Sequence, residues 1–159
     1  MWNTQKKEVD KKIIYLRLED ISLQNIIGMC SHSNKGSNYM ILKDRWNQEQ
    51  YLSILDDKYA LDIFKFRTTN HRLPVETGRF YNIPYKDRIC TQCHRDIGDE
   101  FHYLLKCPAF DKDRKKFLLK QHIKHPNMMT FKNIMTSTNI KLLHNLSVLV
   151  KHIMFKIKT

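Results

Sequence analysis

Three cysteines and one histidine fall close together in the chain. Cys90 and Cys93 are separated by two residues, His102 follows after eight more, and Cys107 after another four. Two cysteines at that spacing can turn both sulfurs toward one point in a tight knuckle, and a histidine and a cysteine across a short helix or turn can complete a tetrahedron. Three thiolates and one imidazole suit Zn2+ and leave no open position for water. The pattern C-x2-C-x8-H-x4-C therefore predicts a closed, structural metal site. A cluster of free thiols and a disulfide are the alternatives. His94, next to Cys93, could compete as a ligand, but adjacent ligands are sterically awkward. Cys30 stands alone among apolar positions and reads as a small core residue.

No other constellation carries chemistry as well. Two-metal catalysis needs carboxylates that hold a pair of ions about 4 Å apart. The one aspartate pair, Asp56-Asp57, runs into Lys58-Tyr59-Ala60-Leu61 and reads as a helix start, where a carboxylate satisfies free amides and complements the helix dipole. Asp113-Arg114-Lys115 matches a nuclease-like D-x-K string but lies in a lysine-rich helical stretch. The histidines outside the metal pattern have no partnered nucleophile. No catalytic residue is assigned, and no independent enzymatic activity is expected.

The elements that must position the metal ligands are mostly helical. Only four glycines and four prolines occur among 159 residues, too few for the tight turns of a β-sandwich or barrel. Residues 5–31 form a mixed amphipathic segment of one or two helices, residues 32–38 read as a loop, and a short helix is expected through Trp46 and Leu52. A helix then begins at Asp56-Asp57, and Pro74 and Gly78 break the pattern. Asp99 can cap a short helix carrying His102, which Pro108 ends just past Cys107. The chain after Pro108 reads as helix to about Pro126. The strongest helix follows, with Leu143, Leu146, Val150, Ile153 and Ile157 at steps of three and four. The fold class expected is mainly α: a small helical domain with a central zinc knuckle. Three segments are drawn: 1–55 helical and loop, 56–110 helix plus metal module, and 111–159 basic and helical. Residues 78–108 hold few large apolar groups, so the metal must supply much of their order.

Charge points to the partner. The net charge is +12, and residues 108–159 hold 11 basic groups against two acidic ones. A block so basic attracts a polyanion through Coulomb forces and counterion release, RNA or DNA first among them. The alternative is a solvated helical face. No apolar run approaches the length needed to span a bilayer, and no apolar stretch of a secretory signal is present. The expected location is intracellular, nuclear or cytoplasmic.

The stretch Phe66-Arg67-Thr68-Thr69-Asn70-His71-Arg72-Leu73-Pro74-Val75-Glu76-Thr77-Gly78-Arg79-Phe80, then Tyr81-Asn82-Ile83-Pro84, Arg88-Ile89-Cys90 and Asp99-Glu100-Phe101-His102-Tyr103-Leu104-Leu105-Lys106-Cys107-Pro108, resembles a known pattern. It is similar to the zinc-binding segment downstream of the polymerase in LINE-type (non-LTR) retrotransposon reverse transcriptases. The likeness covers residues 64–110. It implies a module that helps a polymerase hold template RNA or target DNA, with Cys90, Cys93, His102 and Cys107 as zinc ligands. Arg67, His71, Arg72, Arg79 and Arg88 match basic positions around the finger. The polymerase is absent, since a chain this short cannot hold fingers, palm and thumb. A polymerase encoded elsewhere is thus an expected partner.

A zinc-stabilised nucleic-acid-binding module is the leading expectation. Arg67, His71, Arg72, Arg79, Arg88, Arg95, Lys115 and Lys116 are the candidate phosphate contacts. Phe80, Tyr81 and Tyr85 either stack on unpaired bases or pack around the finger. A protein-interaction module docking through the C-terminal helix and a degenerate retroelement fragment are the alternatives.

Overall fold

The structure, a computed structural model, describes residues 4–31, 37–43 and 48–158. The chain divides into two compact units between residues 48 and 49. In the first, α1 (Thr4–Ser31) is one continuous helix, followed by α2 (Ser37–Leu42). Apolar residues follow one another at Ile13, Ile14, Tyr15 and Leu16, so they point around the whole helix and stand exposed instead of forming one stripe. Of the expected 32–38 loop, residues 32–36 lie outside the described residues, and 37–38 open α2. Trp46, expected on a short helix, also lies outside the described residues, whereas Leu52 sits on α3 (Gln50–Ile54).

The second unit contains α3, α4 (Asp57–Arg67), α5 (Pro74–Phe80), the metal-ligand segment, α6 (Asp111–Phe117), α7 (Lys120–Lys124), α8 (Met128–Met135) and α9 (Ile140–Lys158). Among the described residues there is no β-strand, only an isolated antiparallel bridge between Ile89 and Ile97. The fold is a mainly helical domain with a central cysteine-histidine knuckle, as expected. The segments 56–110 and 111–159, drawn separately from sequence, share this unit, because α4 and α6 pack on α9.

Helix α9 organises the core. Asn139 opens it, its side-chain oxygen accepting the Leu142 amide at 2.9 Å. Leu143, Leu146, Leu149, Val150 and Ile153 are then fully buried. The apolar face that could have docked on a partner is covered by this chain's own α4, α6 and α8, so docking through that helix is set aside.

Other local expectations are corrected. Asp56 does precede α4, but its carboxylate makes no capping bond; its main-chain carbonyl accepts the Tyr59 and Ala60 amides instead. Pro74 starts a helix and does not merely break one, because its fixed φ suits the first helical position. The helix expected from Pro108 to Pro126 is a 3₁₀ turn (Pro108–Phe110) followed by α6 and α7, with an extended break at Leu118 and Leu119. That break turns the Leu118 side chain into the core and leaves Leu119 outside.

Gly98 joins α5 to the knuckle. Its carbonyl accepts the Val75 amide, and its own amide donates to Arg88 at 2.8 Å. A Cβ here would meet the Pro74 ring at 2.7 Å and the Cys90 Cα at 3.0 Å, and a main-chain neighbour cannot rotate aside. Gly98→Ala should destabilise the unit by about 1–3 kcal/mol in denaturant unfolding, the usual cost of overpacking. No loss of stability would show that the contact relaxes freely.

Among the described residues no helix is long and apolar enough to cross a membrane.

Candidate metal centre

Cys90, Cys93, His102 and Cys107 converge, and one ligand atom from each lies within 4.8 Å of the others. Cys90, His102 and Cys107 are buried and Cys93 half-buried. The sulfurs of Cys90 and Cys107 stand 3.7 Å apart, and Cys93 Sγ is 3.2 Å from His102 Nε2. A tetrahedral zinc with Zn–S bonds near 2.3 Å sets neighbouring sulfurs about 3.8 Å apart, so the donor set fits such an ion in both chemistry and spacing.

The first half of the site is a tight turn. The His94 amide donates to the Cys90 carbonyl at 3.0 Å, with His94 in the left-handed region at φ 56°. This geometry brings Cys93 back over Cys90 and turns His94 out to solvent, away from the cluster. Cys30 lies in the other unit, half-buried on α1.

The second half depends on an unusual turn. Asp99 Oδ1 accepts the His102 amide at 2.7 Å and starts the helix, as its position predicts. The chain then widens into a π-helical turn from His102 to Lys106, closed by the Cys107 amide on the His102 carbonyl at 2.7 Å. In an α-helix, residues five apart would point about 140° away from each other. An i→i+5 turn instead stacks them, which aligns His102 with Cys107. Pro108 contributes, since it excludes α-helical geometry at Cys107 and offers no amide to continue the ladder.

The electrostatics suit a cation. Burial pushes the Cys90 thiol up, but bonds from the Tyr103 hydroxyl and the Gln92 and Cys93 amides outweigh it and leave its pKa lowered. Burial, with Cys90 as a negative neighbour, drives Cys107 up to about 12, against the pull of the Ala109 amide. A second thiolate is therefore disfavoured beside the first unless a positive ion lies between them. Burial also lowers the His102 pKa, against the opposing field of Asp96, and so favours the neutral imidazole a metal requires. The buried His102 Nδ1 has no hydrogen-bond partner among the described residues, and Asp96 Oδ2 stands 3.8 Å away.

Buried charges that the sequence did not single out brace this centre. Arg114, 1% exposed, donates to the carbonyls of Tyr103 and Cys107 and to Asp111. Glu100, beside the ligand turn, bonds His71 Nε2 at 2.7 Å.

The candidate phosphate contacts separate into two groups. Arg67 is buried, donating to the Met135 carbonyl and to Glu49, and so is not a surface contact. The His71 side chain is buried on Glu100 and accepts the Leu73 amide, which withdraws it as well. Arg88 is half-buried and donates to the Ile83 and Val75 carbonyls, and Arg79 pairs with Glu76. Arg72, Arg95, Lys115 and Lys116 are exposed. Asp113 of the nuclease-like string pairs with Lys156 at 3.0 Å and joins no carboxylate cluster among the described residues. The two buried groups carry sequence signatures no different from surface ones, and only the packing reveals their role.

No protein-family model, curated protein or solved structure matches the chain.

Proposed function

We propose that the chain is a zinc-stapled module that binds nucleic acid through the phosphate backbone and is not catalytic on its own. It is of the kind found beside the polymerase in non-LTR retrotransposon reverse transcriptases. Zinc, held by Cys90, Cys93, His102 and Cys107, supplies a fixed tetrahedral crosslink and no reactive position. The observation that carries the binding half is the charge of residues 108–159, 11 basic groups against two acidic, with Lys112, Lys115, Lys116, Lys120 and Lys124 all exposed. Arg72 and Arg95 are exposed as well. Attraction of this type is insensitive to sequence and weakens steeply as salt rises. A polymerase would be the natural partner, because the resemblance places such a module beside one.

Binding of an RNA or DNA oligonucleotide, followed by fluorescence anisotropy from low to moderate salt, tests the reading. The double substitution Lys115→Glu with Lys116→Glu should weaken affinity roughly tenfold and flatten the salt slope by about two. An affinity indifferent both to salt and to these charges would remove the proposal.

A further inference from the structure

We infer that the loop before the knuckle is a stacking ledge for unpaired bases, which makes the preferred ligand single-stranded. This rests on the nucleic-acid reading above and adds the form of nucleic acid recognised. Phe80, Tyr81 and Tyr85 are 67%, 77% and 53% exposed, so each presents ring surface to solvent, Tyr85 with its hydroxyl partly desolvated near Asp99 and Glu100. Large aromatic rings held out in water at neighbouring positions mark a contact surface, because a solvated loop gains nothing from them.

The ledge is braced and does not depend on its ligand for shape. The Ile83 amide closes on the Gly78 carbonyl at 2.9 Å, with Asn82 in the left-handed region at φ 53°. Behind it Arg88 donates to the Ile83 carbonyl at 2.9 Å and to the Val75 carbonyl at 2.8 Å. Gly78 makes this possible, since a Cβ there would meet the Arg88 side chain at 2.6 Å. The Arg88 carbonyl in turn accepts the Gly98 amide, which links the ledge to the ligand segment.

Charge selects the occupant. The Arg88 guanidinium lies 5.9 Å from the Tyr85 ring; the Arg79 guanidinium lies 4.5 Å from the Phe80 ring but is paired with Glu76, so Arg88 is the cation that counts. The two bonds that hold Arg88 go to neutral carbonyls and leave its charge uncancelled, and Lys86 and Arg95 stand exposed nearby in sequence. Aromatic faces interleaved with cations suit a strand that offers both flat bases and phosphates. In a duplex the bases stack on one another, so such rings have nothing to receive.

The test uses the metal-loaded full chain, a 12-nucleotide single strand of mixed sequence carrying 2-aminopurine, and a duplex hairpin of matching length. Wild type should bind the single strand at least about tenfold more tightly than the hairpin and quench the 2-aminopurine. Tyr81→Ala with Tyr85→Ala should cost the single strand roughly tenfold or more and abolish quenching, while hairpin affinity and melting temperature stay unchanged. Tyr81→Phe should retain wild-type binding. Equal losses on both ligands, no loss on either, or a duplex preference in wild type would overturn the ledge. If the tyrosine pair has no effect while Lys115→Glu with Lys116→Glu weakens both ligands, the backbone-binding reading survives and the ledge does not. If wild type binds neither ligand, both fall.

Discussion

On the zinc-stapled reading proposed above, a chelator should unfold the larger unit, not merely loosen a loop, with a loss of folding free energy on the order of 10 kcal/mol. The reason is where the ligands sit. Between Phe80 and Ile89 the large side chains Phe80, Tyr81, Ile83, Tyr85 and Ile89 are all exposed, so this stretch has little apolar burial to hold it. The π-helical turn between His102 and Cys107 carries Tyr103, Leu104 and Leu105, which are buried in the same unit as α9. Once no ion ties that turn to Cys90 and Cys93, the turn loses its anchor and the core loses three buried side chains, Tyr103 the largest of them. Thermal melting by far-ultraviolet circular dichroism should therefore lose its cooperative transition in excess chelator and regain it on addition of zinc. A transition unchanged by chelation would show that packing alone orders the segment.

Arg114→Ala should be the most damaging single change outside the ligands, costing about 3–5 kcal/mol in denaturant unfolding. The side chain is buried, and its guanidinium caps the carbonyls of Tyr103 and Cys107 while pairing with Asp111. Truncation takes the Arg114 donor from the Tyr103 carbonyl, leaves the Cys107 carbonyl only the Phe110 amide at 3.1 Å, and opens a void in the core. Arg114→Lys should recover little, because an ammonium cannot span several acceptors as the planar fork does. Metal affinity should fall as well, since the Cys107 main chain is one of the groups held in place. A loss below about 1 kcal/mol, or full rescue by lysine, would mean that water replaces the guanidinium.

The ligand set was legible because thiolate chemistry constrains spacing more tightly than packing does. Two cysteines two apart, then a histidine and a cysteine across one turn, leave few geometries open, and Asp99 and Pro108 mark where that turn begins and ends. The π-helical widening was not legible, since nothing in His102-Tyr103-Leu104-Leu105-Lys106-Cys107 distinguishes an i→i+5 turn from an ordinary one until both ends must meet the same ion. Helix α9 could be read from its apolar stripe, but the stripe alone does not say whether the covering surface is this chain or another. The buried cations were invisible for a related reason. Arg67 is drawn inside by the Met135 carbonyl, and Arg114 by the Tyr103 and Cys107 carbonyls in addition to its neighbour Asp111; nothing in the sequence marks those carbonyls as acceptors. The break at Leu118-Leu119 was missed because two adjacent leucines fit a helical stripe as readily as an extended corner.

X-ray absorption at the zinc edge on purified protein, combined with metal quantitation, addresses the centre directly. One zinc per chain is predicted, with three sulfurs at about 2.3 Å and one nitrogen at about 2.0 Å, and Cys93→Ser should lose a sulfur from that shell or fail to retain the ion. Protein that folds without stoichiometric metal, or a shell dominated by oxygen, would contradict the account.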